Sequence, residues 1–252
     1  MLDDICLMLI AFAAGFIDAS AGGGGIIQVP GIMLFAPALT IPEVFATNKF
    51  ASVWGTSIAC LKFIKEKKVP WNLIVWGIPF ALIASFFGAN CVSSFDKNLI
   101  RPFVITLLIF VIIYSIFAKK FIKQHQSKIN NKNILIALVI IFSSVIGFYD
   151  GIFGPGTGSF LIFLFVTFLG CLFLEANAGA KVINLLTNIG AIIYFLLYGN
   201  IHFILGIKLA IFNMFGGYLG AKIAIKYGNQ YVRLMFIIIS SALIIKLIID
   251  SI

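Results

Sequence analysis

Two lysines inside apolar segments are the first candidates for chemistry in this sequence. Lys49 and Lys181 each begin a stripe of polar residues at i, i+3 and i+7, a spacing that places the stripe on one helix face. An ionisable residue inside a membrane span is by default a functional candidate, and a lysine attracts anions. The alternative is that each lysine extends its amine to the membrane interface, which requires no polar residues deeper in the segment. The stripes continue with Ser52 and Thr56, and with Asn184 and Asn188.

Two aspartates each lie four residues before a glycine-rich stretch. Asp18 precedes residues 22–25, which are all glycine, and Asp150 precedes residues 154–158, Gly-Pro-Gly-Thr-Gly. Neither stretch can continue a regular helix at low cost. A helix that restarts after such a break directs free N–H groups and its positive dipole end at the break, which favours an anion there. The alternative for these glycines is close helix packing.

The sequence is compatible with three roles for these aspartates. Each carboxylate could carry a coupling proton if burial favours its protonated form. It could equally pair with a lysine or cap the broken helix. Asp18 and Asp150 are therefore candidates for binding the coupling ion.

The segments that must position these groups are strongly apolar. The chain has 252 residues, of which 62% are hydrophobic and 11% are charged, whereas about 25% of the residues of a soluble domain are charged. We therefore predict a polytopic membrane protein, since no segment has the polar face of a soluble bundle. The net charge of +9 is attributed to cytoplasmic lysines and not to nucleic-acid binding. The histidines and cysteines lack metal-ligand spacing, so no metal or cofactor is expected.

The sequence repeats itself at a spacing of 132 residues. Asp18 aligns with Asp150 and Lys49 aligns with Lys181, without a gap. A duplicated half that keeps its glycines and charges is typical of transporters built around a central site. Further matches pair Gly15 with Gly147, Gly22 with Gly154, Gly24 with Gly156, Glu43 with Glu175, Gly88 with Gly220 and Arg101 with Arg233.

Hydrophobic segments divide equally between the two halves. We predict an all-α bundle of about 8–10 segments in two inverted repeats, residues 1–118 and 133–252, joined by a basic cytoplasmic linker at 119–132. The inversion follows because each half has an odd number of crossings. The short pair that flanks each glycine-rich break forms either two spans or one re-entrant hairpin. The segments lie at about 4–20, 24–40, 44–63, 70–93, 101–118, 133–152, 157–174, 178–198, 202–225 and 232–250.

Two long strings resemble the motifs of one transporter family. Residues 15–25, Gly-Phe-Ile-Asp-Ala-Ser-Ala-Gly-Gly-Gly-Gly, followed by Thr47-Asn48-Lys49, resemble the first-half signature of the TauE/SafE sulfite exporter family. Residues 147–158 are similar to its second motif. The resemblance spans about residues 10–250 and implies a multi-pass transporter of the bacterial inner membrane. It also implies small sulfur-containing anions as substrates, such as sulfite, sulfoacetate and other organosulfonates. One departure is that residues 179–181 are Gly-Ala-Lys, so the two halves of the site need not contribute equally.

These observations predict a secondary transporter of small anions that works by alternating access around a midplane site. The sequence has no GxxxxGK[ST] motif, so an ion gradient or the substrate gradient must drive transport. The expected partners are a small anion and the lipid bilayer, with a homodimer left open. The predicted substrate-binding residues are Lys49, Lys181, Asn48, Ser52, Thr56, Gly23, Gly24, Gly25, Gly156, Thr157, Gly158, Ser159, Asn184 and Asn188.

Two other functions compete with this prediction. An anion channel on the same scaffold is not distinguished from a carrier by sequence. An intramembrane aspartyl protease would use Asp18 and Asp150 as a carboxylate dyad. The Tyr149-Asp150 pair fits that class, but Asp18 is not part of the GxGD motif that should accompany it. We therefore expect that the protein is not an enzyme.

Overall fold

A computed structural model of the chain describes residues 2–66, 68–92, 129 and 131–227. The secondary structure of these residues is all helical, which confirms the predicted fold class. The predicted segments at 101–118 and 232–250, and most of the predicted linker, lie outside the described residues. The helices are α1 (Leu2–Ala21), α2 (Gly25–Phe35), α3 (Ile41–Lys65), α4 (Trp71–Ile74), α5 (Ile78–Val92), α6 (Lys132–Ile152), α7 (Thr157–Leu169), α8 (Phe173–Leu197) and α9 (Phe203–Tyr227).

Both glycine-rich stretches interrupt the helical structure, as predicted. The first break follows α1, where Gly22 adopts a φ of +80° that a residue with a side chain rarely adopts. The second break follows α6, where Gly154 and Gly156 have φ values of +88° and +86°. The positive φ at equivalent positions of the two halves ends each long helix and turns the chain into a short one.

The helix starts recur at the spacing of the sequence repeat. The helices α2 and α3 begin at Gly25 and Ile41, and α7 and α8 begin 132 residues later, at Thr157 and Phe173. The repeat is therefore structural as well as sequential. One difference is that α9 is continuous where the first half has α4, a turn and α5. The inverted orientation of the repeats and the domain boundaries remain predictions.

A shared glutamate explains why α3 and α8 begin at equivalent residues. The Glu43 carboxylate accepts a hydrogen bond from the backbone N–H of Thr40 at 2.7 Å, and the Glu175 carboxylate accepts one from the backbone N–H of Leu172 at 3.0 Å. A glutamate in the first turn satisfies an N–H group that the helix leaves free and complements the helix dipole. Both glutamates thus act as N-terminal helix charges.

Four described helices are long and apolar enough to cross a membrane: α1, α6, α8 and α9. The short helices α2 and α7 have 11 and 13 residues. At 1.5 Å per residue they extend about 17 and 20 Å, less than the roughly 30 Å hydrocarbon core. Neither of them can therefore cross the core alone as a straight helix.

The two repeats interlock through glycines that contact the backbone of the opposite repeat. The helix α1 packs on α9, and α6 packs on α5. A Cβ atom on Gly15 would lie 2.1 Å from the backbone oxygen of Asn213, and one on the equivalent Gly147 would lie 2.9 Å from that of Ala81. Only glycine permits such approaches. Each half of the sequence therefore completes the packing of the other.

Candidate functional site

The two breaks contact one another at the centre of the described structure. A Cβ atom on Gly22 would lie 2.4 Å from the carbonyl carbon of Gly158, so the two backbones touch. The backbone N–H of Ser159 donates a hydrogen bond to the carbonyl oxygen of Gly22 at 2.8 Å, and the Ser159 hydroxyl donates to that of Ala21 at 2.9 Å. The C-terminal end of α1 thereby caps the N-terminal end of α7.

Two ion pairs connect the repeats beside this contact. The amine of Lys49, on α3, pairs with the carboxylate of Asp150, on α6. The amine of Lys181, on α8, pairs with the carboxylate of Asp18, on α1, at 3.0 Å. The two pairs are equivalent because their residues align at the 132-residue spacing. Each pair joins a lysine of one half to an aspartate of the other. Of the three readings of the aspartates, the structure shows the lysine pairing.

Both lysines lie deep in the fold and not at its surface. The side chain of Lys49 is 2% exposed and that of Lys181 is 0% exposed. Each lies more than two turns inside its helix, whereas the sequence suggested a position at the start of a segment. The helices begin earlier because Glu43 and Glu175 support additional first turns. The amines therefore do not extend to the membrane interface.

Hydroxyl and amide groups complete the surroundings of the carboxylates. The Thr157 hydroxyl donates a hydrogen bond to Asp150 Oδ1 at 2.6 Å. The Thr56 hydroxyl donates to Asp18 Oδ2 at 3.2 Å, and the Asn184 amide lies 3.5 Å from Asp18 Oδ1. The polar stripe that the sequence predicted on α3 and α8 therefore faces the aspartates.

A cavity of about 20 Å³ lies between the breaks and the polar stripes. A volume of 10–15 Å³ is about what one water requires, so in this state the cavity has no room for an oxyanion such as sulfite. Its lining residues are Asp18, Gly22, Gly24, Gly25, Asn48, Lys49, Ser52, Asp150, Gly154, Gly156, Thr157, Gly158, Asn184 and Asn188.

Four predicted residues are not among those that line the cavity. Lys181 and Thr56 lie behind Asp18 and contact its carboxylate. The groups of Ser159 bond to the end of α1, and Gly23 does not line the cavity although it lies within the first break. The sequence analysis placed neither Gly22 nor Gly154 in the site, although both lie in the glycine-rich stretches and align at the repeat spacing.

Polar groups without partners face the cavity. No described residue accepts a hydrogen bond from the backbone N–H of Gly24, Gly25 or Gly158, at the N-terminal ends of α2 and α7. The side-chain oxygen of Asn48 is buried and has no hydrogen-bond partner among the described residues. Free N–H groups at helix N-termini are suited to bind an anion, whereas the unpartnered Asn48 oxygen is an acceptor and requires a donor.

A buried asparagine that the sequence analysis missed stabilises the first break. The Asn177 amide donates hydrogen bonds to the carbonyl oxygens of Ala19 and Ser20, at 3.3 and 3.1 Å. These carbonyls belong to the last turn of α1, which has no following helical residues to satisfy them. An asparagine between the predicted apolar segments 157–174 and 178–198 was the only signal in the sequence.

Comparison with known proteins assigns the sequence to a family. The sequence model of the sulfite exporter TauE/SafE family matches residues 7–247. The chain belongs to the TauE/SafE family. It is 30% identical to the probable membrane transporter protein YfcA of Escherichia coli K12, over 97% of this chain and 89% of that protein. It is 32% identical to a probable membrane transporter protein of Haemophilus influenzae, over 97% and 94%. No solved structure matches it significantly.

Membership in the TauE/SafE family makes this chain a multi-pass membrane transporter and not an enzyme. The aspartyl protease reading is therefore wrong. The structure adds the physical reason: each candidate aspartate is paired with a lysine, so the two carboxylates do not form a dyad that shares a proton.

Proposed function

We propose that this TauE/SafE protein is a secondary transporter of small anions of the sulfite and organosulfonate type, located in the inner (plasma) membrane. Transport occurs by alternating access around the cavity between the two breaks. The observation that carries the proposal is one cavity lined by the N-terminal ends of α2 and α7, by Lys49, and by Asp18, behind which Lys181 lies. Substrate class and mechanism go beyond what family membership gives.

The charges favour a compact anion over a neutral or cationic substrate. The lysine amines are held without contact to solvent, where their attraction for an anion is weakly screened. The free N–H groups of Gly24, Gly25 and Gly158 supply hydrogen bonds suited to the oxygens of a sulfite or sulfonate group. A lysine acts as a point charge and does not demand the planar geometry of a carboxylate.

The small cavity volume supports a carrier that opens and closes. The lysines already have aspartate counter-ions, so an entering anion must compete with a carboxylate for its lysine. The contact between Gly22 and Ser159 also closes the gap between the breaks. Binding therefore requires the breaks to separate, which couples occupancy to conformation, as alternating access demands.

Counterflow of labelled sulfite in proteoliposomes tests the proposal. Unlabelled taurine, sulfoacetate, thiosulfate and sulfate serve as competitors, and the order of competition ranks the substrates. The test variant is Lys181→Met, and its matched control is Lys208→Met. Both lysines pair with an aspartate of α1, but the Lys208–Asp4 pair is exposed, at 42% and 47%.

We expect saturable exchange by the wild type and by Lys208→Met, and its loss in folded Lys181→Met. Undiminished exchange by Lys181→Met would overturn the lysine-centred site. No exchange of any of these anions by folded wild-type protein would overturn the substrate class. Flux that does not saturate would identify a channel.

A further inference from the structure

The two aspartates of the site occupy equivalent positions in the repeat but have different surroundings. Asp150 engages both of its carboxylate oxygens, one with Lys49 and the other with the Thr157 hydroxyl at 2.6 Å. Both side chains of this ion pair are 2% exposed. The carboxylate therefore contacts α3 and α7 at once and lies away from solvent.

The second break is fixed by further side chains. The Tyr149 hydroxyl donates a hydrogen bond to the carbonyl oxygen of Pro155 at 2.6 Å. The Thr157 hydroxyl also lies 2.8 Å from the carbonyl oxygen of Gly154. Proline removes one rotatable backbone dihedral from the same segment. The Asp150–Lys49 pair is thus part of a break that is held at several points.

The first break lacks these restraints from its own segment and is held instead by Asn177 and Ser159 of the second repeat. Residues 132 positions before Tyr149, Pro155 and Thr157 are Ile17, Gly23 and Gly25, none of which can form the equivalent hydrogen bond or ring restraint. Four consecutive glycines also leave this backbone with the greatest conformational freedom.

The Asp18 carboxylate has more donors around it than Asp150 but is more exposed, at 13% against 2%. Its Oδ2 receives both Lys181, at 3.0 Å, and the Thr56 hydroxyl, at 3.2 Å. Its Oδ1 has only the Asn184 amide, at 3.5 Å, the outer limit of a hydrogen bond. The Asp18 side chain is 13% exposed and lines the cavity.

We propose that the two ion pairs have unequal roles: Asp18–Lys181 is the pair that opens to exchange a proton and the anion, and Asp150–Lys49 is a fixed structural tie. The inference rests on the proposed anion transport and adds the number of protons that accompany each anionic group. A proton that binds the Asp18 carboxylate removes the counter-ion of Lys181, and the substrate's anionic group takes its place. One proton then enters the site with each anionic group, and the charge of the site is conserved.

The charged groups around Asp18 agree with this exchange. Lys181 faces it from α8, and Lys49 of α3 and Asp150 of α6 line the same cavity. The sequences of α2 and α7 contain no titratable residue. On α9, Lys208 pairs with Asp4 at the start of α1, and Lys222 and Lys226 lie near the C-terminal end. The exchange therefore concerns Asp18 with its two lysines and Asp150.

Carbodiimide labelling tests the inference without any substrate. Dicyclohexylcarbodiimide modifies protonated carboxyl groups in apolar surroundings, and peptide mass spectrometry of the purified protein locates the adduct. We expect modification of Asp18, faster at pH 5.5 than at pH 8, and none of Asp150. The Asp18→Asn protein is the control and must lose the adduct. Equal modification of both aspartates, or none of Asp18, would overturn the inference.

Transport by two matched variants gives the second arm. We expect Asp18→Asn to retain counterflow with a several-fold lower half-saturation concentration and no pH dependence, since Lys181 is permanently free. Folded Asp150→Asn should keep the wild-type pH profile. The same pH response in both variants would overturn the unequal roles. If the wild type exchanges no sulfur oxyanion but Asp18 alone is labelled, the proposed substrate fails and the unequal roles stand.

A third variant makes the first break resemble the second. Gly25→Thr places a hydroxyl at the position equivalent to Thr157, and a Cβ atom there would meet its nearest atom, Pro155 Cα, at 3.4 Å, an ordinary contact. We expect this protein to fold and to exchange anions several-fold more slowly, because the added hydroxyl holds the Asp18 carboxylate. Exchange at the wild-type rate would show that the missing hydroxyl is irrelevant to the difference between the aspartates.

Discussion

Replacing Lys49 by methionine should destabilise the protein strongly, because it leaves the Asp150 carboxylate without its counter-ion. Methionine has nearly the volume of lysine, so the packing around the side chain changes little. Both members of this pair are 2% exposed. Removal of one partner of a buried ion pair costs about 3–5 kcal/mol. The uncompensated carboxylate, and not a cavity, accounts for the expected loss of stability.

The assay is thermal unfolding of purified protein in detergent, followed by size-exclusion chromatography. For a domain of this size a loss of 3–5 kcal/mol lowers Tm on the order of 10 °C. The control is Lys208→Met, which breaks an exposed pair of 3.5 Å and should change stability by less than about 1 kcal/mol. The double variant Lys49→Met/Asp150→Asn removes both charges and should recover much of the loss.

The reasoning would be refuted if Lys49→Met and Lys208→Met had equal Tm values. It would also fail if the double variant were no more stable than Lys49→Met, since the coupling between the two positions would then be absent. Either result would mean that Lys49 and Asp150 do not depend on one another for stability.

Two further predictions concern the breaks. Gly22→Ala should abolish folded protein, since Gly22 has a φ of +80° and the added Cβ would lie 2.4 Å from backbone atoms. The control Gly199→Ala, with a φ of +71° and nothing within 4 Å of the added Cβ, should lose only about 1 kcal/mol of stability. Equal yields of the two variants in size-exclusion chromatography would contradict the contact between the breaks. Thr157→Val should lower the free energy of unfolding by about 1–3 kcal/mol, because Asp150 Oδ1 loses its donor, and an unchanged Tm would argue against that bond.

The broken helices could be predicted from sequence because their cause is local. Four consecutive glycines, or a Gly-Pro-Gly stretch, interrupt a helix whatever surrounds them. The 132-residue repeat likewise identified equivalent residues without any structure, and the helix starts at Gly25 and Thr157 confirm it. The polar stripes needed only the helical period, and their members Ser52 and Asn188 line the cavity.

Which charges pair was decided by the tertiary structure alone. By sequence, Lys49 was as free to pair with Asp18 of its own half as with Asp150 of the other. The pairing across repeats depends on how whole helices pack, as α3 of the first half packs on α8 of the second, and such non-local contacts depend on the shapes of helix surfaces. Sequence periodicity describes one helix at a time and contains no such information.

The sequence by itself determined that this is an apolar, duplicated protein with two broken segments and a small set of buried charges, because composition and local backbone preferences suffice for each of these. The tertiary structure decided that the breaks touch, that each lysine already has a carboxylate, and that the cavity left between them is only about 20 Å³. Those facts depend on contacts between residues more than a hundred positions apart, which only the packed chain defines.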